Sequence, residues 1–155
     1  MKNNIKEKVE KGWIHAIIII EILGRPADHV KKSMEALVDE LGKVKGVEIT
    51  RKEIHEPKEI EKHNLFTTFA EVELLTENFK KLTDLIFEYM PSSIEIIEPQ
   101  EARMNINEAN NLVNDLTARL HRYDSVAKTL MMQNKILQTK IEGLEGKEKA
   151  KDKKE

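Results

Sequence analysis

The hydrophobic pattern of the first hundred residues alternates between strand-like and helix-like segments. A near-continuous apolar run from Trp13 to Leu23 is rich in β-branched residues and predicts a central strand that is contacted on both faces. After Pro26, apolar residues recur at helical spacing until Gly42, which predicts an amphipathic helix. At the start of residues 47–54, apolar and polar side chains alternate with a period of two, which predicts an edge strand.

A charged loop is predicted at residues 56–64, and a second group of elements follows it. Residues 65–74 resume the strand pattern, Thr76 is placed to cap a second amphipathic helix, and residues 94–98 form a short last strand. The order across residues 13–99 is therefore βαββαβ. Right-handed crossovers then predict an antiparallel sheet in the order 4-1-3-2 with both helices on one side. This α+β arrangement resembles the ferredoxin-like fold.

The clearest pattern in the chain is a heptad repeat near its carboxyl end. Asn105-x-x-Glu108 is a capping box, and no proline follows it, so a long helix is predicted. With Ile106 at position a, every a and d position up to Leu144 is apolar or aromatic except Asn134, where a buried amide commonly specifies a parallel two-stranded coiled coil. The residues predicted to form this seam include Val113, Leu116, Leu120, Tyr123, Ala127, Leu130, Asn134, Leu137 and Ile141.

Charges beside this seam favour a parallel homodimer. In such a dimer a g residue faces the e residue five positions on in its partner, which matches Arg119 with Asp124 and Lys140 with Glu145. Some e and g positions are apolar as well, so the stripe is wider than a strict seam. A higher oligomer, and packing of the first half of the helix on its own domain, therefore stay open as alternatives.

These patterns divide the chain into four parts. Residues 1–11 hold too few apolar side chains to bury and predict a flexible arm. Residues 12–104 form the βαββαβ domain, and residues 105–145 form the coiled-coil helix. Residues 146–155 have mixed charge and no aromatic side chain, which predicts a disordered tail.

Composition narrows the classes of function. The 26 basic and 28 acidic residues nearly cancel, which disfavours nucleic-acid and membrane-surface partners. The chain has no cysteine, which excludes disulfides, thiol nucleophiles and cysteine-ligated metals. Because no apolar run is long enough to span a bilayer and the start lacks a signal-peptide core, we expect a soluble cytoplasmic protein.

One face of the predicted sheet gathers ionisable side chains. Strand alternation places His15 and Glu21 of the first strand beside Glu71 and Glu73 of the third, on the face opposite the helices. Carboxylates and an imidazole are the groups that a divalent metal site or a carboxylate-dependent enzyme uses. We favour the alternative that the long helix or a second subunit covers this face. No catalytic residue, metal or cofactor is therefore assigned.

Gly24-Arg25-Pro26 joins the first strand to the first helix, where a ligand can approach exposed backbone N–H groups. Here the chain resembles ACT domains, a ligand-sensing βαββαβ family that carries an acidic residue, a proline and a glycine in this junction. Arg25-Pro26 matches part of that pattern, whereas Gly24 replaces the acidic residue and Ala27 the glycine. The resemblance implies a small-molecule site at this junction, and an ordinary turn before a helix is the alternative.

The function that these observations favour is a non-enzymatic, homo-oligomeric module. Its βαββαβ domain senses a small ligand or contacts a partner, and its long helix joins two copies. An enzyme that uses the ionisable sheet face is the first alternative. A nucleic-acid-associated adaptor is the second.

Overall fold

The computed structural model of the protein describes residues 2–61, 64–101 and 103–151. The chain divides into two compact units, Met1–Arg103 and Met104–Glu155. The helices are α1 (Lys2–Glu10), α2 (Ala27–Leu41), α3 (Phe79–Tyr89) and α4 (Ile106–Lys151). The strands are β1 (Ile14–Gly24), β2 (Val47–Ile54), β3 (Lys58–Ile60), β4 (Leu65–Thr76) and β5 (Ser93–Glu98).

The strands form one five-stranded antiparallel sheet in the order β2-β4-β1-β5, with β3 also paired to β4. The longest pairing joins β1 to β4, from Ile14 opposite Thr76 to Gly24 opposite Phe66. The predicted α+β class and the long carboxy-terminal helix are confirmed.

The core lies between the sheet and the two helices α2 and α3. Alternate residues of β1 and β4 point toward these helices, and the apolar faces of both helices pack on the same side of the sheet. The buried cluster consists of Ile14, Ala16, Ile18, Ile20, Met34, Val38, Leu41, Ala70, Val72, Leu74, Leu82 and Leu85.

The segment predicted as a charged loop contains a strand, so that prediction is wrong. In β3, Lys58 pairs with Thr67 and Ile60 pairs with Leu65. β2 pairs with β4 only from Ala70 to Thr76, which leaves the first residues of β4 with an unpaired edge. β3 satisfies the backbone groups of that edge, an effect of tertiary pairing that the local pattern does not contain.

The predicted cap of the second domain helix is also wrong. Thr76 is the last residue of β4 and pairs with Ile14 and Val47, so it cannot serve as the N-cap of α3. Asn78 is the N-cap, and its side-chain oxygen accepts a hydrogen bond of 2.8 Å from the N–H of Lys81.

The amino-terminal residues form helix α1, where the sequence predicts only an arm without regular structure. A nine-residue helix is marginal in water on its own, so its stability must come from packing. Its half-buried residues include Ile5, Lys8 and Val9, which are three and four positions apart and share one side of the helix. After α1 the N–H of Trp13 donates to the carbonyl of Lys8 at 3.0 Å.

The predicted capping box at the start of α4 is confirmed. The Asn105 side chain accepts a hydrogen bond from the N–H of Glu108 at 2.9 Å, and the Glu108 carboxylate accepts one from the N–H of Asn105 at 3.1 Å. The helix continues to Lys151, beyond the predicted start of the disordered tail at residue 146, because lysine and glutamate are good helix formers. The tail residues 152–155 lie outside the described residues.

Within the described part of the chain, no helix combines the length and the apolar character needed to cross a membrane. The cytoplasmic location stays a prediction.

The cap at Asn78 is testable by stability measurements. Asn78→Ala should lower the free energy of unfolding by about 1 kcal/mol, because the N–H of Lys81 loses its acceptor. Asn78→Asp keeps the acceptor and should retain the wild-type stability. Urea unfolding at one fixed protein concentration measures both variants, and equal destabilisation by the two substitutions would contradict the cap.

Candidate functional site

The sheet face opposite α2 and α3, called the open face below, holds the four ionisable residues singled out from the sequence. On this face Ile17 lies opposite Glu73, Ile19 opposite Glu71, and Glu21 opposite Phe69. His15 precedes Ile17 by two positions on β1 and shares the face.

His15 and Glu73 form a pair at one end of the open face. The Nε2 atom of His15 is 2.7 Å from Oε1 of Glu73, and the side chains are 8% and 23% exposed, respectively. The other ring nitrogen of His15, Nδ1, is buried and has no hydrogen-bond partner within the described part of the chain. Glu73 is therefore oriented by a buried imidazole.

The other two carboxylates have different partners. Arg51 from β2 places its guanidinium 3.6 Å from Glu71 and 3.1 Å from Glu53. Glu21 accepts a hydrogen bond of 2.9 Å from the hydroxyl of Thr67. The three carboxylates thus do not converge on one centre. No group of three or more histidine, aspartate or glutamate side chains within residues 2–61, 64–101 and 103–151 is arranged to hold a metal ion.

Helix α1 covers the His15 end of the open face. Lys8 forms an ion pair with Glu48 of β2, and its ammonium group lies 4.2 Å from the centre of the Trp13 ring. His15 and Leu75, which both point to this face, are buried. Within residues 2–61 and 64–101, α1 is the element that covers this end of the face. Cover of the face by the long helix or by a second subunit stays a prediction.

A cleft of about 460 Å³ lies between α1 and the sheet. Ile5 supplies an apolar wall, and Glu73 lies on the sheet side. The lining residues are Asn4, Ile5, Glu48, Ile49, Thr50, Arg51 and Glu73.

The sequence holds one signal that could have located α1. Ile5 and Val9 are four positions apart, which places both on one side of a helix.

The other end of the open face is not covered by α1. Phe69 is 36% exposed there, and its ring stacks on the imidazole of His55 with the centroids 4.0 Å apart. His55 is brought to this position because its N–H donates to the carbonyl of Phe69 at 3.0 Å, which extends the β2–β4 pairing. Sequence reasoning missed this contact, since it depends on the register between two distant strands.

The junction Gly24-Arg25-Pro26 has a packing role in the structure. A Cβ atom on Gly24 would lie 3.3 Å from Cγ2 of Val30, a tight contact that the Val30 side chain would have to relieve by a small shift. Pro26 is the N-cap of α2, and its carbonyl accepts the N–H of Val30 at 3.1 Å. Arg25 is exposed. Glycine at position 24 thus favours the close packing of β1 on α2, and a ligand at this junction stays a prediction.

A second cleft, of about 450 Å³, lies between the end of α2 and β2. Lys52 donates a hydrogen bond of 2.7 Å to Asp39 at its rim, and this contact holds the pKa of Asp39 below its ordinary value. The two charges neutralise each other.

The predicted seam of α4 faces solvent within the single chain. Its large apolar residues Val113, Leu120, Tyr123, Leu130, Leu137 and Ile141 are between 45% and 63% exposed. Ala127 and Asn134 are also exposed, and Leu116 is half-buried. An exposed apolar strip of this length typically marks an interaction surface.

The molecule is therefore an α+β domain followed by a long helix with an exposed heptad seam. The chain belongs to the MJ0538 family, whose model matches residues 15–149. The match begins in β1 and extends through nearly all of α4, and α1 precedes it. No curated protein and no solved structure matches the chain significantly.

The attachment of α1 can be tested by the fluorescence of Trp13, the only tryptophan of the chain. Lys8→Ala removes the ion pair with Glu48 and the contact with the ring. Since these contribute about 0.5–1 kcal/mol each, the detached form of α1 should become roughly tenfold more populated, with emission shifted to longer wavelength.

Lys6→Ala is the matched control, because Lys6 is exposed on the same helix. Its Trp13 emission maximum should equal that of the wild type. The rate of amide hydrogen exchange in α1, which measures how often the helix detaches, should also be unchanged. An unchanged spectrum of Lys8→Ala, or the same change in both variants, would contradict the contact.

Proposed function

We propose that this protein is a non-enzymatic assembly module that pairs with a second copy of itself through α4. The observation that carries the proposal is the exposure of the heptad seam, whose large side chains lie in water in the single chain. Burying the exposed part of each of them in a coiled coil contributes about 1 kcal/mol or more, and the sum over the seam exceeds the contribution of exposed charge pairs.

A parallel pairing of two helices is favoured by Asn134 and by the flanking charges. An amide at position a can pair with its own copy only when the two helices are parallel and in register. Within one helix, Asp124 forms an ion pair of 2.7 Å with Lys128. In the proposed dimer, the same carboxylate also faces Arg119 of the other helix, so two cations stabilise its charge.

The domain that α4 joins is proposed to be a ferredoxin-like sandwich with one added strand. With β3 set aside, the order β5-β1-β4-β2 reads 4-1-3-2 when the long strands are numbered along the chain, which supports this assignment. The domain then serves ligand sensing or partner contact. An ACT-like ligand at Gly24-Arg25-Pro26 stays a prediction.

The enzyme alternative ranks behind assembly because the carboxylates of the open face have separate partners. Glu73 contacts His15, Glu71 lies near Arg51, and Glu21 accepts from Thr67. A shared site needs groups that converge on one ligand. A nucleic-acid partner ranks third, because the same carboxylates repel phosphate.

The seam is testable by paired lysine substitutions. Leu130→Lys with Leu137→Lys should raise the dissociation constant of the assembly by a factor of about 10⁵ or more, since a dimer loses two buried leucines from each copy and each loss costs about 2 kcal/mol or more. Sedimentation equilibrium of the full chain at micromolar concentration measures the mass.

The matched control is Asn111→Lys with Ala118→Lys, which adds two lysines at f positions of the same helix, away from the seam. This variant should keep the wild-type mass. A monomeric wild type, or equal dissociation of both variants, would refute assembly through the seam.

Asn134 tests the alignment of the helices. Asn134→Leu should stabilise the coil by about 1–3 kcal/mol, because a buried amide is replaced by an apolar side chain, and should admit trimers or mixed registers. Thermal unfolding and sedimentation equilibrium measure the two effects. If stability and mass both stay unchanged, Asn134 lies outside the interface.

A further inference from the structure

We propose that the uncovered half of the open face, defined by Ile19, Glu21, Glu53, Phe69 and Glu71, docks a basic amphipathic helix of a partner protein. This surface lies on the domain and is independent of the seam of α4. It needs neither a metal nor a catalytic group.

Carboxylates accumulate on the open face because all four long strands contribute them. The registers place Glu53 opposite Glu71, Glu48 opposite Leu75, and Glu95 opposite Ile17. Charges of one sign on adjacent strands repel one another unless cations intervene. The carboxylates that share the face include Glu21, Glu48, Glu53, Glu71, Glu73, Glu95 and Glu98.

Helix α1 already shows which kind of element this face accepts. Its charged residues are three lysines and two glutamates, so it carries a small positive charge, and its apolar residues Ile5 and Val9 are half-buried. Lys8 of the same helix forms an ion pair with Glu48. This docking has two features: the helix packs apolar residues on the sheet, and it places a lysine on a carboxylate at the rim.

The uncovered half repeats the two features that α1 uses. Phe69 is 36% exposed and Ile19 is half-buried, so an apolar centre is available. Around that centre lie the carboxylates Glu21, Glu53 and Glu71. Among the described residues of this half, Arg51 lies against Glu53 and Glu71, and Lys58 of β3 pairs with Thr67 on the same face. Three carboxylates thus face two cations, so the surface keeps a negative charge.

The dimensions also suit a helix. From Ile19 to Leu23 the strand β1 extends roughly 13 Å, and neighbouring strands are about 4.8 Å apart, so the surface accommodates two or so turns of a helix about 10 Å wide. The partner helix must carry two apolar residues, four positions apart, that contact Ile19 and Phe69. Lysine or arginine residues beside them would face Glu21 and Glu71.

The test is a titration of the full-length, isotope-labelled protein with a synthetic 18-residue leucine–lysine peptide whose leucines recur at helical spacing. Saturable binding is expected, with the largest NMR shifts at the Ile19 methyls and the Phe69 ring. Glu21→Gln with Glu71→Gln should weaken binding roughly fivefold, as two exposed charge pairs would. Phe69→Ala should weaken it independently by removing the apolar centre.

The matched control is Glu35→Gln with Glu88→Gln, which removes two exposed carboxylates from α2 and α3, on the other side of the sheet. The control should bind the peptide as the wild type does. Equal weakening by both double variants, shifts confined to α4, or absence of saturation would each overturn the proposal. A change of oligomer mass in Glu21→Gln/Glu71→Gln without peptide would overturn it in favour of a second copy as the occupant.

Discussion

The pairing of β1 with β4 is the constraint on which the rest of the domain depends. It extends along all 11 residues of β1, and side chains alternate between the two faces with a period of two. This register sends Ile18 and Val72 toward the helices and Ile17 and Glu73 to the opposite face. A slip of β4 by one residue would turn Glu71 and Glu73 into the core and Val72 and Leu74 out of it, so the burial of one face enforces the register.

The same register creates the electrostatic problem of the open face, and neighbouring elements relieve it. Carboxylates from several strands are brought within reach of one another, which is unfavourable unless cations or donors intervene. Arg51 from β2, Lys8 from α1 and the buried His15 supply these groups at separate points. Helix α1 gains its stability from this face, and the half of the face that it leaves uncovered retains both apolar and acidic character.

Helix α4 differs from the domain in how its apolar residues are used. The domain has a closed core between its sheet and two helices, whereas the large residues of the heptad seam remain in water in the single chain. Burial of these side chains against another surface would release free energy that the single chain does not gain. None of them belongs to the core cluster, so the fold of the domain does not depend on their burial.

Local periodicity was sufficient to determine the order of the long strands and helices, the heptad seam and the capping box at Asn105, because each depends on residues within a few positions of one another. Alternation likewise determined that His15, Glu21, Glu71 and Glu73 share a face. Only the tertiary structure decided that β3 completes the edge of β4, that Asn78 rather than Thr76 caps α3, and that α1 lies on the sheet. It also decided the partner of each carboxylate. These features depend on backbone groups and side chains that are far apart in the chain and meet only once the sheet has formed, so no local pattern contains them.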